Sequence, residues 1–323
     1  PEEAELACQL SMIPEPLDQI YDRLDRSKMA VDELERTFDR MVEKGSITSR
    51  KTADRKLYGL MPFVVGMYEQ QVDRLTKDFA GDVRLYLEGE YGDEMCRTKI
   101  PQLRTIPVRQ SIATPEKFSV SSYDDIRNII ENAGDQLGVI NCICRQTRNA
   151  IGKSCTKTDL HEACIVFRWH ADGFLRRGIG RSITKDEALA ILDKAQEAGL
   201  VLQPANTQRP LGLCCCCGDC CGILTTVKRY PRPAELYASN YYAEIDPELC
   251  TGCEICISKC QLDAITIPDD VAVVDLDRCI GCGNCVACCE SNASQLRKKE
   301  IETVPPERAS DLYMKIMAKK VSG

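Results

Sequence analysis

Two histidines, one tryptophan and 6% aromatic residues are all that this 323-residue chain holds of those types. Little imidazole is therefore on hand for ligation or acid-base work; His161 and His170 could each ligate a metal, but a surface or structural role is the expectation for both. Trp169 is expected to pack in a core, or to shield a buried site from water. No stretch approaches the ~20 apolar residues needed to span a bilayer, so no membrane insertion is expected. A charged-then-apolar leader is also missing from the start, and a cytoplasmic location follows as the expectation. The pair Gly178-Ile179-Gly180 lacks the third glycine and the preceding strand of a dinucleotide loop, which removes a bound nicotinamide or flavin dinucleotide. Basic residues are in the minority, 42 against 49 acids for a net charge of -7, which disfavours wholesale nucleic-acid binding and suits partners with a basic patch.

What the chain has in excess is cysteine, 21 in all. Two runs carry the strongest pattern. Cys250, Cys253, Cys256 and Cys260 are spaced C-x2-C-x2-C-x3-C, and Cys279, Cys282, Cys285 and Cys289 repeat that spacing. A shift of 29 residues superposes Ile245 on Val274, Asp246 on Asp275, Gly252 on Gly281 and Ala264 on Ala293, so the segment is an internal duplication. Three close thiolates wrap one face of a cubane, and the fourth, pointing away, ligates the neighbouring cluster. The expected sets are Cys250, Cys253, Cys256 with Cys289, and Cys279, Cys282, Cys285 with Cys260. Zinc sites use paired C-x2-C units instead. The segment resembles the bacterial two-cluster ferredoxin module, which implies two 4Fe-4S clusters on a small ferredoxin-like (βαβ)2 fold. Gln261 and Glu290 stand where that module usually has proline after the fourth cysteine, and Cys288 is an extra thiol expected to be a spare. In a secreted chain so many cysteines would mean disulfides; beside this repeat they mean metal clusters in a reducing, anaerobic cytoplasm.

A second concentration lies at 214–222, where Cys214, Cys215, Cys216, Cys217, Cys220 and Cys221 are interrupted only by Gly218 and Asp219. With Cys142, Cys144, Cys155 and Cys164 they supply ten thiols, enough for one or two further clusters. Gly218 and Gly222 would let the backbone turn tightly around an inorganic core. Arg145, Arg148 and Lys153 would offset the charge of a thiolate-ligated cluster and raise its potential. Cys142 and Cys144 are expected on one face of a strand beginning near Gly138, and Cys164 in a helix over 159–169. Thr184 to Glu187 is a capping box for a helix ending at Gly199, with Ala188, Ile191, Leu192 and Ala195 inward. The pattern CxCR…C…C…CxCCxxCC ahead of a dicluster ferredoxin resembles iron-sulfur proteins of anaerobes over 139–293. In those the second position of the run is usually not cysteine, so Cys215 is the weakest ligand candidate. The adjacent cysteines are also distantly similar to the doublets of the heterodisulfide reductase catalytic subunit, though the spacing differs. Iron-sulfur is the expectation for this middle site, with zinc, and disulfides or free thiols, as the alternatives.

The first 68 residues show helical spacing over 17–24 and 30–44, the latter with Val31, Leu34, Phe38, Met41 and Val42 on one face and Gly45 as stop. A polar hairpin follows, with Arg50, Lys51, Arg55 and Lys56 at its tip, and the whole looks like a winged helix-turn-helix. Against DNA binding, the would-be recognition helix carries five acids and three bases. A helix is expected over 68–79, a short, broken pattern with a strand at 106–112 over 81–117, a helix over 121–133 capped by Ser121, and a terminal helix over 307–320 that either docks on another subunit or is solvated. Cys8 and Cys96 are expected to be ordinary thiols.

The expected class is α+β: a winged-helix-like domain (1–68), a connecting segment (69–120), a mixed α/β cysteine-rich domain (121–240), a two-cluster ferredoxin domain (241–296) and a tail with a C-terminal helix (297–323). The expected function is electron transfer within an anaerobic redox complex, more as a component of an oxidoreductase than as a stand-alone enzyme, with redox proteins or complex subunits as partners and an oligomer compatible with the pattern. Two alternatives stay open: a redox-sensing DNA-binding regulator, and a reductase whose middle domain holds a noncubane cluster.

Overall fold

The computed structural model describes residues 2–25, 29–112 and 120–321. Pro115 and Lys117, within the segment read as short and broken, lie outside them. The fold is α+β. Among the described residues no helix is long and apolar enough to cross a membrane. The chain divides into two compact units, Pro1–Arg74 and Leu75–Gly323.

In the first unit the Val31–Lys44 helix buries Leu34, Phe38 and Met41, while Val31 at its first position is 40% exposed and does not join the stripe. Gly45 ends the helix at φ 71°, and the amides of Gly45 and Ser46 return to the carbonyls of Val42 and Met41. That is the left-handed glycine stop expected from the sequence. Strands Ile47–Lys51 and Lys56–Leu60 form an antiparallel hairpin, and Glu15–Pro16 adds a short third strand beside the second. Tyr58 is buried from the hairpin onto Phe38, ring centroids 5.2 Å apart, and its hydroxyl donates to Asp39 at 2.6 Å. Burial and the Asp39 carboxylate together push the Tyr58 phenol well above its ordinary range.

The helix expected over 68–79 does not form. Glu69–Gln71 is a single 3-10 turn, Asp73 has φ 64°, and a new helix, Lys77–Glu88, starts from Thr76, whose Oγ1 accepts the Phe79 amide at 3.2 Å. A threonine cap outcompetes the apolar spacing that seemed to run through it. A second helix, Glu90–Thr98, follows, so the segment read as broken is helical over much of its length. The expected strand at 106–112 is reduced to isolated bridges at Leu103, Arg104 and Ile106 before a 3-10 turn at Arg109–Ile112; Pro107 has no amide to continue a ladder.

The middle of the second unit is a five-stranded, wholly antiparallel sheet in the order Arg181–Ser182, Leu137–Asn141, Glu162–Phe167, Gly212–Cys216, Val201–Pro204. Its core gathers Val139, Ile165, Phe167 and Leu213 with Ile191 and Leu192 of the Lys185–Glu197 helix. That helix is capped by Thr184 accepting from the Glu187 amide and stops at Gly199, φ 71°. The 121–133 reading shortens to Ile126–Glu131, capped by Asp125 rather than Ser121.

Two placements differ from the sequence reading at cysteines. Cys164 is in a strand, not a helix: Ala163 to Phe167 is a continuous apolar run buried between two neighbouring strands. The Leu137–Asn141 strand slips in register at its end, and Cys142 takes the N-cap position, without a side-chain cap bond, of a helix, Ile143–Ala150, that carries Cys144 and Arg145 in its first turn. Trp169 is 66% exposed and neither packs in a core nor shields a site.

The duplicated segment has the order β-α-β-β-α-β: Tyr241–Ile245, Ile255–Lys259, Ile265–Thr266, Val273–Val274, Asn284–Ala287, Ser294–Lys298. Its pairings obey the 29-residue shift, because Ile265 faces Val274 as Ser294 faces Ile245. The last strand runs through 297 and 298, residues read as the start of a polar tail. The terminal helix, Ala309–Val321, buries Leu312 and Ile316 and packs on Glu90–Thr98 of its own chain, with Lys320 2.7 Å from Glu94.

Candidate metal centres

The two four-cysteine runs open two concavities. One is lined by Cys250, Cys253, Cys256 and Cys289, with Cys288 beside them. The other is lined by Cys260, Cys279, Cys282 and Cys285. In each, three cysteines come from one copy and one from the other.

Local backbone explains how so short a sequence aims four thiols inward. Gly252 and Gly281 both sit at φ 65°, and a Cβ would lie 2.6 Å from the Asp270 carbonyl oxygen at the first and overlap that of Tyr241 at the second. Asp270 and Tyr241 are themselves 29 residues apart, so both loops pack against equivalent positions of the repeat. The sulfurs are met by amides: Ala243 donates to Cys279 at 3.4 Å, Ala272 to Cys250 at 3.3 Å, Ala264 to Cys260 at 3.2 Å and Ser294 to Cys289 at 3.3 Å. Such N–H···S bonds favour the thiolate and the reduced form of a bound cluster. Burial pushes Cys285 up to about 12 and Cys282 well above its ordinary value. Thiols so placed carry charge only opposite a strong cation, which is the donor chemistry of an iron-sulfur cluster. The residues present fit that group.

The concavities differ in setting. Cys253 is exposed, and only residues of the duplicated segment line the first. Val201 of the central sheet enters the lining of the second, and Val108 donates its amide to the Cys282 carbonyl at 2.9 Å. Gln261, in the position usually held by proline, is 2% exposed: its Oε1 accepts the Gly218 amide at 2.7 Å and its Nε2 donates to the Gly199 carbonyl at 2.9 Å. Asn284 donates to the same Gly199 carbonyl at 2.8 Å. The two glycines of the 214–222 run are therefore explained by close approach, not by a turn around a core. A Cβ at Gly218 would overlap the Gln261 carbonyl oxygen, one at Gly222 would overlap Leu87, and neither has a positive φ.

The structure divides the ten middle thiols into groups. Cys164 and Cys214 are cross-strand partners with sulfurs 3.5 Å apart. The thiols of Cys216, Cys221, Cys144 and Cys142 continue this group from Cys214, each influencing the next. Cys144 and Cys216 hold Cys221 down to about 5. Cys215 points to the opposite sheet face, into the core with Leu213, where burial pushes its thiol far up. Cys155 lies instead with Cys217, Cys220 and Asp219. Arg145, 3% exposed, donates to the carbonyls of Leu160 at 2.9 Å and Cys215 at 3.1 Å. Burial opposes its charge, but interaction with Cys142 and Cys217 more than restores it. The Nε atoms of Arg145 and Arg148 are buried without a protein partner, whereas Lys153 is exposed. Neither histidine is drawn into a thiol group by a hydrogen bond: His161 is exposed, and His170 rests on Phe174 with Nδ1 3.3 Å from the Leu211 carbonyl. Sequence reasoning missed Asp219 and the bridging role of Gln261. The signals were an acid inside a cysteine run and a glutamine in a proline position.

Comparison with known proteins yields one family match, to the 4Fe-4S dicluster domain over residues 242–299. No curated protein and no solved structure matches the chain. The matched residues hold both four-cysteine concavities, so this part of the chain is an iron-sulfur, ferredoxin-like module, and the role it supports is electron transfer.

Proposed function

We propose that the protein is an electron-transfer component of a redox complex, with two 4Fe-4S clusters in the duplicated segment and at least one further cluster in the cysteine-rich domain. The observation that carries this is the pair of four-thiol concavities, each completed by a cysteine from the other copy. Cys250, Cys253, Cys256 and Cys289 would hold one cluster, and Cys260, Cys279, Cys282 and Cys285 the other. When bound, such clusters supply one-electron redox chemistry. The exposed Cys253 side suits an external redox protein, while the other set adjoins the sheet that carries Cys214 and Cys216. The linked thiols Cys142, Cys144, Cys164, Cys214, Cys216 and Cys221 would hold the further cluster, with Arg145 and Arg148 offsetting its charge.

We read the first unit as winged-helix-like and assign it to protein docking. Of the four basic residues at its hairpin, Lys56 is engaged by Asp39 and Arg55 lies 3.8 Å from Asp18. That leaves a weak phosphate-binding surface beside an acidic helix. The test is anaerobic purification followed by iron, sulfide and zinc analysis, with EPR before and after dithionite. About eight irons from the ferredoxin module and about four or more beyond them are expected. Eight irons alone would remove the further cluster, and fewer, insensitive to Cys289→Ala, would sink the ligand assignment. Salt-dependent binding of duplex DNA, abolished by Arg50→Glu with Lys51→Glu, would reinstate the regulator.

A further inference from the structure

We propose that Cys155, Cys217, Cys220 and Asp219 bind a single tetrahedral zinc ion, at a site separate from the iron-sulfur centres. The proposal does not rest on the ferredoxin reading, since none of these side chains lines either concavity. The four ligand atoms all lie within 4.8 Å of one another, and among the described residues no other group of three or more His, Cys, Asp or Glu side chains does so.

The spacing discriminates between one ion and a cluster. With Zn–S of about 2.3 Å and Zn–O of about 2.1 Å, a tetrahedron has S···S edges of about 3.8 Å and S···O edges of about 3.6 Å. Cys155 Sγ is 3.7 Å from Cys217 Sγ and 3.6 Å from Asp219 Oδ1. A 4Fe-4S cubane seats each ligand on a different iron and a 2Fe-2S cluster seats two on each, so neither gathers four ligand atoms into one coordination sphere. The Cys164 and Cys214 sulfurs are as close, but among the described residues no such group of four surrounds them.

The carboxylate is also oriented for the task. Its Oδ2 accepts both the amide and the hydroxyl of Thr156, at 2.7 and 3.0 Å, which leaves Oδ1 turned toward the thiols. Metal ligands are commonly fixed this way by a neighbour that satisfies the non-coordinating atom. Three thiolates and a carboxylate around a divalent ion leave a net negative charge, and the buried guanidinium of Arg145, beside Cys142, Cys155 and Cys217, opposes it. Four protein ligands close the coordination sphere, as in structural zinc sites. The ion would pin the 151–160 loop to the end of the 214–221 run and so fix the strand that presents Cys214 and Cys216.

The test uses the full-length holo-protein, purified anaerobically and examined by metal analysis and zinc X-ray absorption. One zinc per chain is expected, with three sulfur neighbours and one oxygen. Cys155→Ala should lose that zinc while keeping its iron and sulfide, and Asp219→Cys should retain zinc with a fourth sulfur, which controls for misfolding. Thr156→Val, acting only through Asp219, should weaken zinc retention against a chelator about tenfold. Absence of zinc, zinc with a different ligand shell, or loss of iron in place of zinc from Cys155→Ala would each overturn the proposal.

Discussion

Replacing Gln261 by leucine separates the ferredoxin module's own stability from its attachment to the cysteine-rich domain. The side chain makes three hydrogen bonds from a 2% exposed position, the third a long one from Nε2 to the Lys259 carbonyl at 3.5 Å, but their loss is unequal. The Gly199 carbonyl keeps Asn284 as a donor, whereas among the described residues the Gly218 amide has no other acceptor. Leucine fills a similar volume, so packing is nearly preserved and the cost concentrates on one buried N–H. Such an orphaned donor costs about 1–3 kcal/mol, and local opening at Gly218 should rise about 5- to 160-fold. Hydrogen exchange followed by mass spectrometry on the peptide containing Gly218 reads this directly, with iron content as control. Unchanged exchange at Gly218, or loss of ferredoxin iron, would refute the reasoning: the first would mean that the bridge does not hold the loop, the second that Gln261 serves the cluster.

Gly281→Ala should abolish one ferredoxin cluster, lowering iron by about four per chain, because a Cβ at φ 65° overlaps the Tyr241 carbonyl; Gly173→Ala, in open space on a helix, should leave iron unchanged. Arg104 and Asp124 form an ion pair with both side chains 3% exposed, and burial pushes Arg104 down to about 10 and Asp124 up. Asp124→Ala should cost about 3–5 kcal/mol by stranding the guanidinium, with much of it recovered by Asp124→Leu with Arg104→Met, as read from anaerobic urea midpoints. Glu302 is held down to about 2 by hydrogen bonds from Ser121 and Tyr123. A depressed folded-state pKa adds stability above the ordinary carboxylate value that is lost as pH falls through about 2. Glu302→Gln should therefore trail the parent at pH 6, with the gap narrowing below about pH 4.5 and closing toward pH 2. A gap that widened in acid would reverse the assignment. Cys215→Ala should leave total iron unchanged, where Cys214→Ala lowers it.

Legibility from sequence followed the range of the interactions involved. The duplicated loops were readable because cysteine spacing, glycine conformation and turn geometry are all fixed within about sixteen residues, and the repeat states them twice. The Val31–Lys44 and Lys185–Glu197 helices were readable for the same reason, each carrying its own stripe and stop or cap. Cys164 was misread because its strand is made by partners on both sides, one of them about fifty residues away, and apolar runs of that length fit helix or strand equally. The glycines at 218 and 222 were given a local purpose when their neighbours, Gln261 and Leu87, come from distant segments. Asp219 stayed hidden because its orientation depends on Thr156, across a loop that no periodicity describes.

Two of the four amide-to-sulfur bonds of the duplicated segment cross from one copy to the other: Ala243 serves Cys279, and Ala272 serves Cys250. Copies of a duplicated stretch ordinarily drift apart, one keeping the original task while the other is lost or retrained. Here neither copy owns a complete set of donors, so an inherited deletion of either repeat removes support from both sites together. The duplication is a ratchet, and a single repeat could recover the arrangement only by pairing with a second copy of itself.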